Sequence, residues 1–552
     1  MTATTRDTPP LATMFTALAR TRGDRPALVG ATRTVTDAEL EQRGNRVANA
    51  LLDLGVGAGD RVAYLDLNNP EFFEVMLGAA KIGAAIAPLN YRLTAGELGR
   101  IVHDARATVL VVGPAFEAAV PAIEAEAPAL SRVVRTGEDF EGWVAAASEE
   151  DPGRESTYDD VVLQLYTSGT TGLPKGVQLT NGNCSGLMDV ANAWGVDESS
   201  VSLVAMPLFH IGGSGWANVA LARGGTDVLV PVIDPTALID TIEQAGITNA
   251  FLVPAVLQMM CAVPGAADRD YASLRSIAYG ASPITTTALK RCLEVFRAPL
   301  FQVYGLTETT GAITELSSAD HDPDGPRQHL LRSAGKPYPW VEMKAVDPVA
   351  RADCGPGEVG EIWTRSRQNS PGYWHKPEDT AATFDADGWL HTGDAGYLDD
   401  EGFVFLTDRI KDMIVSGAEN VYPIEVESAL AEHPDVADVA VIGVPDERWG
   451  ETVKAVVVRR PGSTLSAEEL IAWPGTARSA DPSPGRQGHR RVAQEVTGHS
   501  PRNTGRRFSP NARMPSATSA VRSRIVCPVR SRSRASCRCP RVAALTAFLV
   551  AA

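Results

Sequence analysis

Two periods of apolar and polar positions take turns along this chain. Between residues 35 and 112, the stretch TDAELEQRGNRVANALLDLGV sets leucine, valine and alanine at helical spacing. Short apolar runs such as RVAYLDL and ATVLVV follow, of strand length and rich in β-branched residues, with further helical patterns between them. The rhythm returns from 160 to 306. There the strand candidates VVLQLY, SLVAM, TDVLV, TNAFLV, RSIAY and PLFQVY are separated by helices such as PTALIDTIEQAG and TTTALKRCLEVF. This alternation predicts an α/β fold.

The pattern then changes character. From 335 to 408, GPGEVGEIW and DADGWLHTGD read as strands joined by Gly/Asp turns. After Arg409, the text from DMIVSGAEN to VKAVVVRR runs strand, helix, strand, strand, as expected for the start of a small second domain of α+β type. Beyond Trp473 the chain is Arg, Ser, Pro, Ala and Gly without a sustained period, a composition that cannot supply a packed core. The expected units are therefore 1–408, 409–473 and a tail, 474–552.

Composition narrows the class of protein. With 44% hydrophobic and 21% charged residues, and no apolar run long enough for a membrane span, the chain reads as soluble and globular. The opening MTATTRDTPPLATMF lacks a basic flank before an apolar stretch, so a cytoplasmic protein is expected. Seven cysteines show no metal-ligand spacing; Cys537 and Cys539 make only a C-x-C. A net charge of −16 argues against nucleic acid as the partner. That average hides the tail, where fifteen arginines meet only two acids, Asp481 and Glu495, and no lysine.

Chemistry concentrates just after the ends of the strand candidates, where ligands bind in open α/β sheets. YTSGTTGLPKGV, residues 166–177, follows VVLQLY. Gly169, Gly172 and Gly176 let the backbone turn sharply and aim N–H groups at an anion. Thr167, Ser168, Thr170 and Thr171 add hydroxyls, and Lys175 adds a positive charge, which together make a phosphate cradle. The arrangement differs from the P-loop, because Leu173 and Pro174 precede Lys175 and Gly176 follows it.

YTSGTTGLPKGV resembles the signature of the adenylate-forming superfamily of acyl-CoA synthetases, luciferases and peptide-synthetase adenylation domains. The resemblance continues in order through LNYRLTAGEL (89–98), PLFHIGG (207–213), YGASPI (279–284), VYGLTETT (303–310), GYW (372–374), GWLHTGD (388–394), DRIKDMIVSGAENVYPIEVE (408–427) and GVPDERWGE (443–451). It covers about residues 15–473 and is nearest to bacterial fatty-acid and medium-chain acyl-CoA synthetases.

The resemblance implies a large adenylation domain, a small mobile domain, and the substrates ATP, coenzyme A and a small carboxylic acid. The carboxylate attacks the α-phosphate, pyrophosphate leaves, and a thiol then displaces AMP. By the same likeness, Thr170 and Lys175 hold phosphates, Thr307 reaches the α-phosphate, and Glu308 holds Mg²⁺, a hard cation suited to oxygen ligands. Tyr304 with Gly305, and the Gly280-Ala281-Ser282 turn, resemble the two walls around adenine. Asp394 and Arg409 resemble the ribose contacts. His210 would gate the acid, with Gly212, Gly213 and Trp216 bordering the acyl chain. Lys411 occupies the hinge position, and Ser416, Gly417 and Trp449 would face the pantetheine tunnel. Ala418 stands in SGAEN where glycine is usual. A homodimer is left open.

One expected part is missing. The family's small domain carries a Pro-Arg-x-x-x-Gly-Lys motif whose lysine reaches the carboxylate and α-phosphate, yet no lysine follows Lys454. SPRNTGRRFSPN at 500–511 is one residue short of that spacing and has Arg506 at the lysine's place. The abrupt change in composition is what an out-of-frame message would encode, and LSAEELIAW ends in mid-helix. A planar guanidinium also differs from a compact ammonium in reach. The expectation is weak adenylation, with thioester formation from a preformed adenylate retained. Three alternatives remain open: a ligase that loads a carrier protein, a pseudoenzyme that binds ATP or acid without turnover, and a tail acting as a nucleic-acid arm.

Overall fold

A computed structural model describes residues 8–167, 174–282, 284–409, 414–416, 419–421, 423–431, 433–446, 450–460, 462–471, 473 and 497–499. The architecture below is that of the compact unit within residues 1–498. Its helices begin where the sequence supplies caps. Thr36 and Glu39 form a capping box at helix Asp37–Asp53, and Thr94 and Glu97 form another at helix Ala95–Ala105.

Two mixed sheets dominate the region before residue 340. Strands β1 (Pro26–Val29) and β2 (Thr34–Thr36) come first. They are followed by β3 (Arg61–Leu65), β4 (Ala85–Pro88), β5 (Val109–Val112), β6 (Arg132–Arg135), β7 (Val161–Thr167) and β8 (Lys175–Thr180). The six strands β3 to β8 form one sheet in the order β6-β5-β3-β4-β7-β8, parallel except for the closing β7–β8 hairpin. Every residue of β3, β4 and β5 is buried, as expected where helices cover both faces of parallel strands.

The second sheet is built from β9 (Val201–Val204), β10 (Thr226–Leu229), β11 (Asn249–Leu252), β12 (Ser276–Gly280), β13 (Leu300–Leu306), β14 (Gly311–Leu316) and β15 (Lys336–Pro337). With β1 and β2 these make nine strands in the order β15-β14-β13-β12-β11-β9-β10-β1-β2. The interior from β13 to β1 is parallel, and each edge is capped by antiparallel strands. One continuous apolar core packs side chains from both sheets, Phe72, Phe73 and Leu165 with Leu203, Trp216 and Tyr279 among them.

The turn-rich stretch is a four-stranded antiparallel sheet, β16 (Glu342–Val346), β17 (Gly360–Arg365), β18 (Leu390–Leu398) and β19 (Val404–Arg409), in sequential order. Beyond it come β20 (Ile414–Ser416), β21 (Glu419–Val421), helix Pro423–Ala431, β22 (Val436–Asp446) and β23 (Gly450–Arg459), one strand more before the helix than the expected strand, helix, strand, strand, because β20 and β21 pair as antiparallel neighbours. Ile414, Val426, Leu430, Val441, Val453, Ala455 and Leu470 give this small part its own core. No helix among the described residues is long and apolar enough to cross a membrane.

Candidate active site

Three of the predicted motifs leave the nine-stranded sheet at one edge. β9, β12 and β13 lie in the parallel interior of the nine-stranded sheet, and their C-terminal ends lead into PLFH, Gly280-Ala281-Ser282 and Tyr304 to Glu308. β10 and β11 flank β9 on opposite sides, so His210 follows the point where strand order reverses. Such a point opens a crevice at the carboxyl ends of the strands.

Glu308 sits in a braced turn between β13 and β14. The Leu306 N–H donates to Thr309 Oγ1 at 2.8 Å, and the Thr309 hydroxyl lies 2.7 Å from the Gly311 carbonyl. Thr310 takes a left-handed φ of 54° and donates from Oγ1 to the Gln368 carbonyl at 2.6 Å. Ser370 N–H donates to the Glu308 carbonyl at 2.8 Å, and the Tyr373 hydroxyl donates to Glu308 Oε1 at 2.9 Å. At Gly305 a Cβ would lie 1.8 Å from the Gly311 carbonyl oxygen, so only glycine fits the start of the turn. Burial, and then the charge of Glu308, push the Tyr373 hydroxyl well above its ordinary pKa, so it stays a donor.

Residues 166–177, the expected phosphate cradle, include the end of β7 and the start of β8. Thr167 and Lys175 face each other as the last paired residues of that hairpin. Ser168, Gly169, Thr170, Thr171 and Gly172 lie outside the described residues. The hairpin is tied to the same segment that braces Glu308: Trp374 N–H donates to the Gly176 carbonyl at 2.8 Å, and Gln178 N–H to the Gly372 carbonyl at 3.1 Å. Lys175 Nζ stands 5.0 Å from the centroid of the Tyr373 ring and pairs with Asp379 at 2.5 Å. Lys175 and Glu308, from two different sheets, therefore meet on opposite parts of one tyrosine.

The nucleoside residues converge as well. Gly280 and Val303 are register partners on β12 and β13, which sets the Gly280 turn beside Tyr304. Ala281 adopts φ 66°, a conformation that costs a non-glycine residue about 1–2 kcal/mol and is characteristic of functional turns. Ala281 and Ser282 are exposed. The Tyr304 hydroxyl donates to Asp394 Oδ2 at 2.6 Å, linking the residue expected at adenine to the one expected at ribose across 90 residues of sequence. Asp394 is buried on β18, and Arg409 is its register partner on β19.

Of the residues expected around the acyl chain, His210 occupies the N-cap position of helix Ile211–Ala222, without a side-chain capping bond, and lies 4.4 Å, ring to ring, from Phe209. The residue is exposed at the surface. Desolvation first, and Arg92 second, push the imidazole down to about 4, so it is neutral at physiological pH. Gly212 faces Phe251 closely enough that a Cβ would sit 2.9 Å from its ring, and Gly213 is packed on the Met206 and Pro207 carbonyls. Trp216 is buried, stacked on Trp194 at 5.2 Å and tilted against Phe251 at 6.0 Å. Its indole N–H has no hydrogen-bond partner among the described residues.

Ser416 belongs to β20, while Lys411, Gly417, Ala418, Trp449 and Arg506 lie outside the described residues. The structure also brings in residues that motif reading passed over. Tyr373 stood within GYW and Thr309 and Thr310 within VYGLTETT, so their motifs marked them. Gln368 and Asp379 carried no such mark.

Comparison with known proteins identifies the family. The profile described as "AMP-binding enzyme" matches residues 15–374, and that of the "AMP-binding enzyme C-terminal domain" matches 425–483, reaching past Trp473. The chain is 41% identical over 451 residues to a fatty acid–[acyl-carrier-protein] ligase of Streptomyces coeruleorubidus, spanning 81% of this chain and 86% of that protein. It is 39% identical to a feruloyl-CoA synthase of an Amycolatopsis species, over 80% and 86% of the two chains. The ATP-bound structure of MatB from Rhodopseudomonas palustris superposes with a TM-score of 0.79 at 29% identity, covering 89% and 96%. That of the o-succinylbenzoate CoA synthetase MenE from Bacillus subtilis, solved with its acyl-adenylate intermediate, gives 0.76 at 31% over 89% and 94%. With the family profile matched over residues 15–374, more than half of the chain, and a 41% identical relative covering 81% of it, the chain belongs to the AMP-binding enzyme family of adenylate-forming ligases.

Proposed function

We propose that this chain joins a carboxylic acid to a thiol in two steps at one site. A carboxylate carbon is electron-rich and its leaving group would be oxide, so it must first be activated. The acid's oxygen attacks the α-phosphate of ATP, the bond to the β-phosphate breaks, and pyrophosphate leaves. A thiolate then attacks the acyl carbon, and the carbon–oxygen bond to AMP breaks. The observation that carries this reading is the meeting of Lys175 and Glu308 on Tyr373, which sets a phosphate-binding cation beside a lone carboxylate. Fixed charges of this kind stabilise the oxyanions that develop during phosphoryl chemistry.

Among the described residues no cluster of three or more His, Cys, Asp or Glu side chains could hold a metal ion. Glu308 alone fits Mg²⁺, which takes one or two carboxylates and completes its shell with water and substrate phosphates, and which when bound neutralises phosphate charge. Thr307 reaches the α-phosphate. Tyr304 and the Gly280 turn hold adenine, Asp394 and Arg409 hold ribose, and Gly212, Gly213 and Trp216 shape the acyl site. Lys411 is the hinge, and Ser416, Gly417 and Trp449 line the thiol's approach. The domains are 1–408 and 409–473, followed by the tail.

The thiol is that of coenzyme A, and the acid is a fatty or arylalkanoic acid taken up in the cytoplasm. A second reading, loading of a carrier protein, draws support from the 41% identical Streptomyces ligase. The absence of any lysine after Lys454 leads to the further proposal that adenylation by this chain is slow. The test compares the 552-residue protein with a version given a Pro-Arg-x-x-x-Gly-Lys C-terminus. Pyrophosphate release should be far slower in the former, with thioester formation from a supplied acyl-adenylate similar in both. Equal pyrophosphate release would refute the proposal about the tail. AMP release that requires a carrier protein and ignores coenzyme A would select the second reading.

A further inference from the structure

Lys175 does not stand free in its cradle. Its ammonium lies between the face of Tyr373 and the carboxylate of Asp379, with the lysine side chain 15% exposed and that of Asp379 34% exposed. Asp379 is held at this spot by the backbone. It lies in the first turn of helix Pro377–Thr383, and that helix is tied back to the GYW segment by the Thr380 hydroxyl, which accepts from Tyr373 N–H at 3.0 Å. The charge count around Tyr373 is thus one cation between two carboxylates, Glu308 on the hydroxyl side and Asp379 on the ring side. Glu308 has an assigned task in the reading above. Asp379 has none, and its position opposes the task given to Lys175, because a carboxylate at ion-pair distance both occupies the ammonium and repels an incoming polyanion.

We propose that Asp379 is a positioning residue that acts as an internal counter-ion, holding Lys175 between turnovers and competing with the β- and γ-phosphates of ATP for it. The inference rests on the reading of 166–177 as a phosphate cradle. An ammonium transferred from carboxylate to phosphate keeps a strong ion pair throughout, so it is never left uncompensated in a partly buried site. It also makes release of pyrophosphate easier, since a waiting carboxylate takes the lysine back. Asp379 thereby trades ground-state affinity for product release.

The experiment is titration calorimetry of Mg·ATP and of AMP into the full-length protein and its Asp379→Asn, Asp379→Ala and Asp379→Glu variants, each also in a Lys175→Met background. Removing the carboxylate from a partly exposed pair should tighten Mg·ATP binding by about three- to tenfold. Binding of AMP, which has no β- or γ-phosphate, should stay unchanged, and Asp379→Glu should restore the original affinity. The gain should vanish in the Lys175→Met background. Unchanged or weaker Mg·ATP binding by both Asp379→Asn and Asp379→Ala, with AMP binding intact, overturns the proposal. So does a gain that persists without Lys175. If Lys175→Met alone leaves Mg·ATP affinity untouched, the cradle reading itself fails, a result distinct from failure of the counter-ion.

Discussion

The proposed nucleotide end and the proposed acyl end of this site are built from different materials. Around Glu308, Tyr373 and Asp394, position is set by directed hydrogen bonds from Thr309, Thr310, Ser370, Tyr373 and Tyr304, several of them 2.6–2.9 Å long. Around Trp216, position is set by shape, with Trp194, Trp216, Phe251 and Phe301 packed ring against ring and glycines where a Cβ would collide. A hydrogen-bonded end tolerates little change in residue type, because its geometry is the chemistry. A packed end can change its contour by a few side-chain volumes while keeping the reaction. Relatives 41% and 39% identical to this chain carry names as different as fatty acid–[acyl-carrier-protein] ligase and feruloyl-CoA synthase, as this division would produce.

The comparison is most sharply broken at the nucleotide end. Glu308→Gln keeps the size and the Tyr373 contact but removes the charge, and should lower acid-dependent pyrophosphate release by about 10²–10³-fold. Thermal stability should barely change, and thioester formation from a supplied acyl-adenylate should fall much less. An equal loss in both half-reactions would count against a role specific to the phosphate step.

At the acyl end the expected effect is a change of preference. Trp216→Ala removes a large buried ring and should destabilise the protein by about 3–5 kcal/mol, read as a fall in melting temperature. It should raise kcat/KM for longer or bulkier acids relative to short ones, by about 10–200-fold at most, the range that a few methylenes in an apolar pocket command. The KM for ATP should not move. A uniform loss across acids would mean that Trp216 is only core.

A last effect concerns β10 and is read from pH dependence. Asp227 on β10 is fully buried beside its register partner Ser202, and neither side chain has a partner among the described residues. Burial raises its pKa well above the ordinary 3.8. Below that value both folded and unfolded chains carry the proton. As pH rises above it the unfolded chain ionises while the folded chain does not, so stability falls. Asp227→Asn removes this term. Its stability advantage over the natural chain should be absent near pH 4 and grow by at most about 1.4 kcal/mol per pH unit above it. Melting curves at several pH values give the answer, and a difference independent of pH would show that Asp227 ionises in the fold.

How much of this was legible in the sequence follows the same division. Strands and helices were readable because parallel strands buried on both faces are largely apolar runs, and VLVV, with RVAYL and NAFL after their polar first residues, is such a run. The site motifs were readable because they follow strand ends. Pairings across long separations were not. Nothing local says that Tyr304 meets Asp394 90 residues on, that Lys175 meets Asp379, or that Cys261 and Cys292 touch at 3.7 Å. Ala281 gave no sign of its positive φ, since alanine is neither glycine nor one of the Asn, Asp and His residues enriched there. Glycine-led turns in 335–408 announced themselves, whereas Gln368 within the same region looked like any polar loop residue.

The most direct measurement is equilibrium binding of a non-reactive acyl-adenylate mimic, an acyl sulfamoyl adenosine, to the full 552-residue chain. It probes the assembled nucleotide and acyl ends together and does not depend on a lysine beyond Lys454. The account predicts saturable binding that ATP displaces, weakened at least about tenfold by Asp394→Ala, in line with loss of a charge-assisted hydrogen bond worth about 1.5–3 kcal/mol. No binding by the folded protein, or binding that Asp394→Ala leaves unchanged, would contradict it.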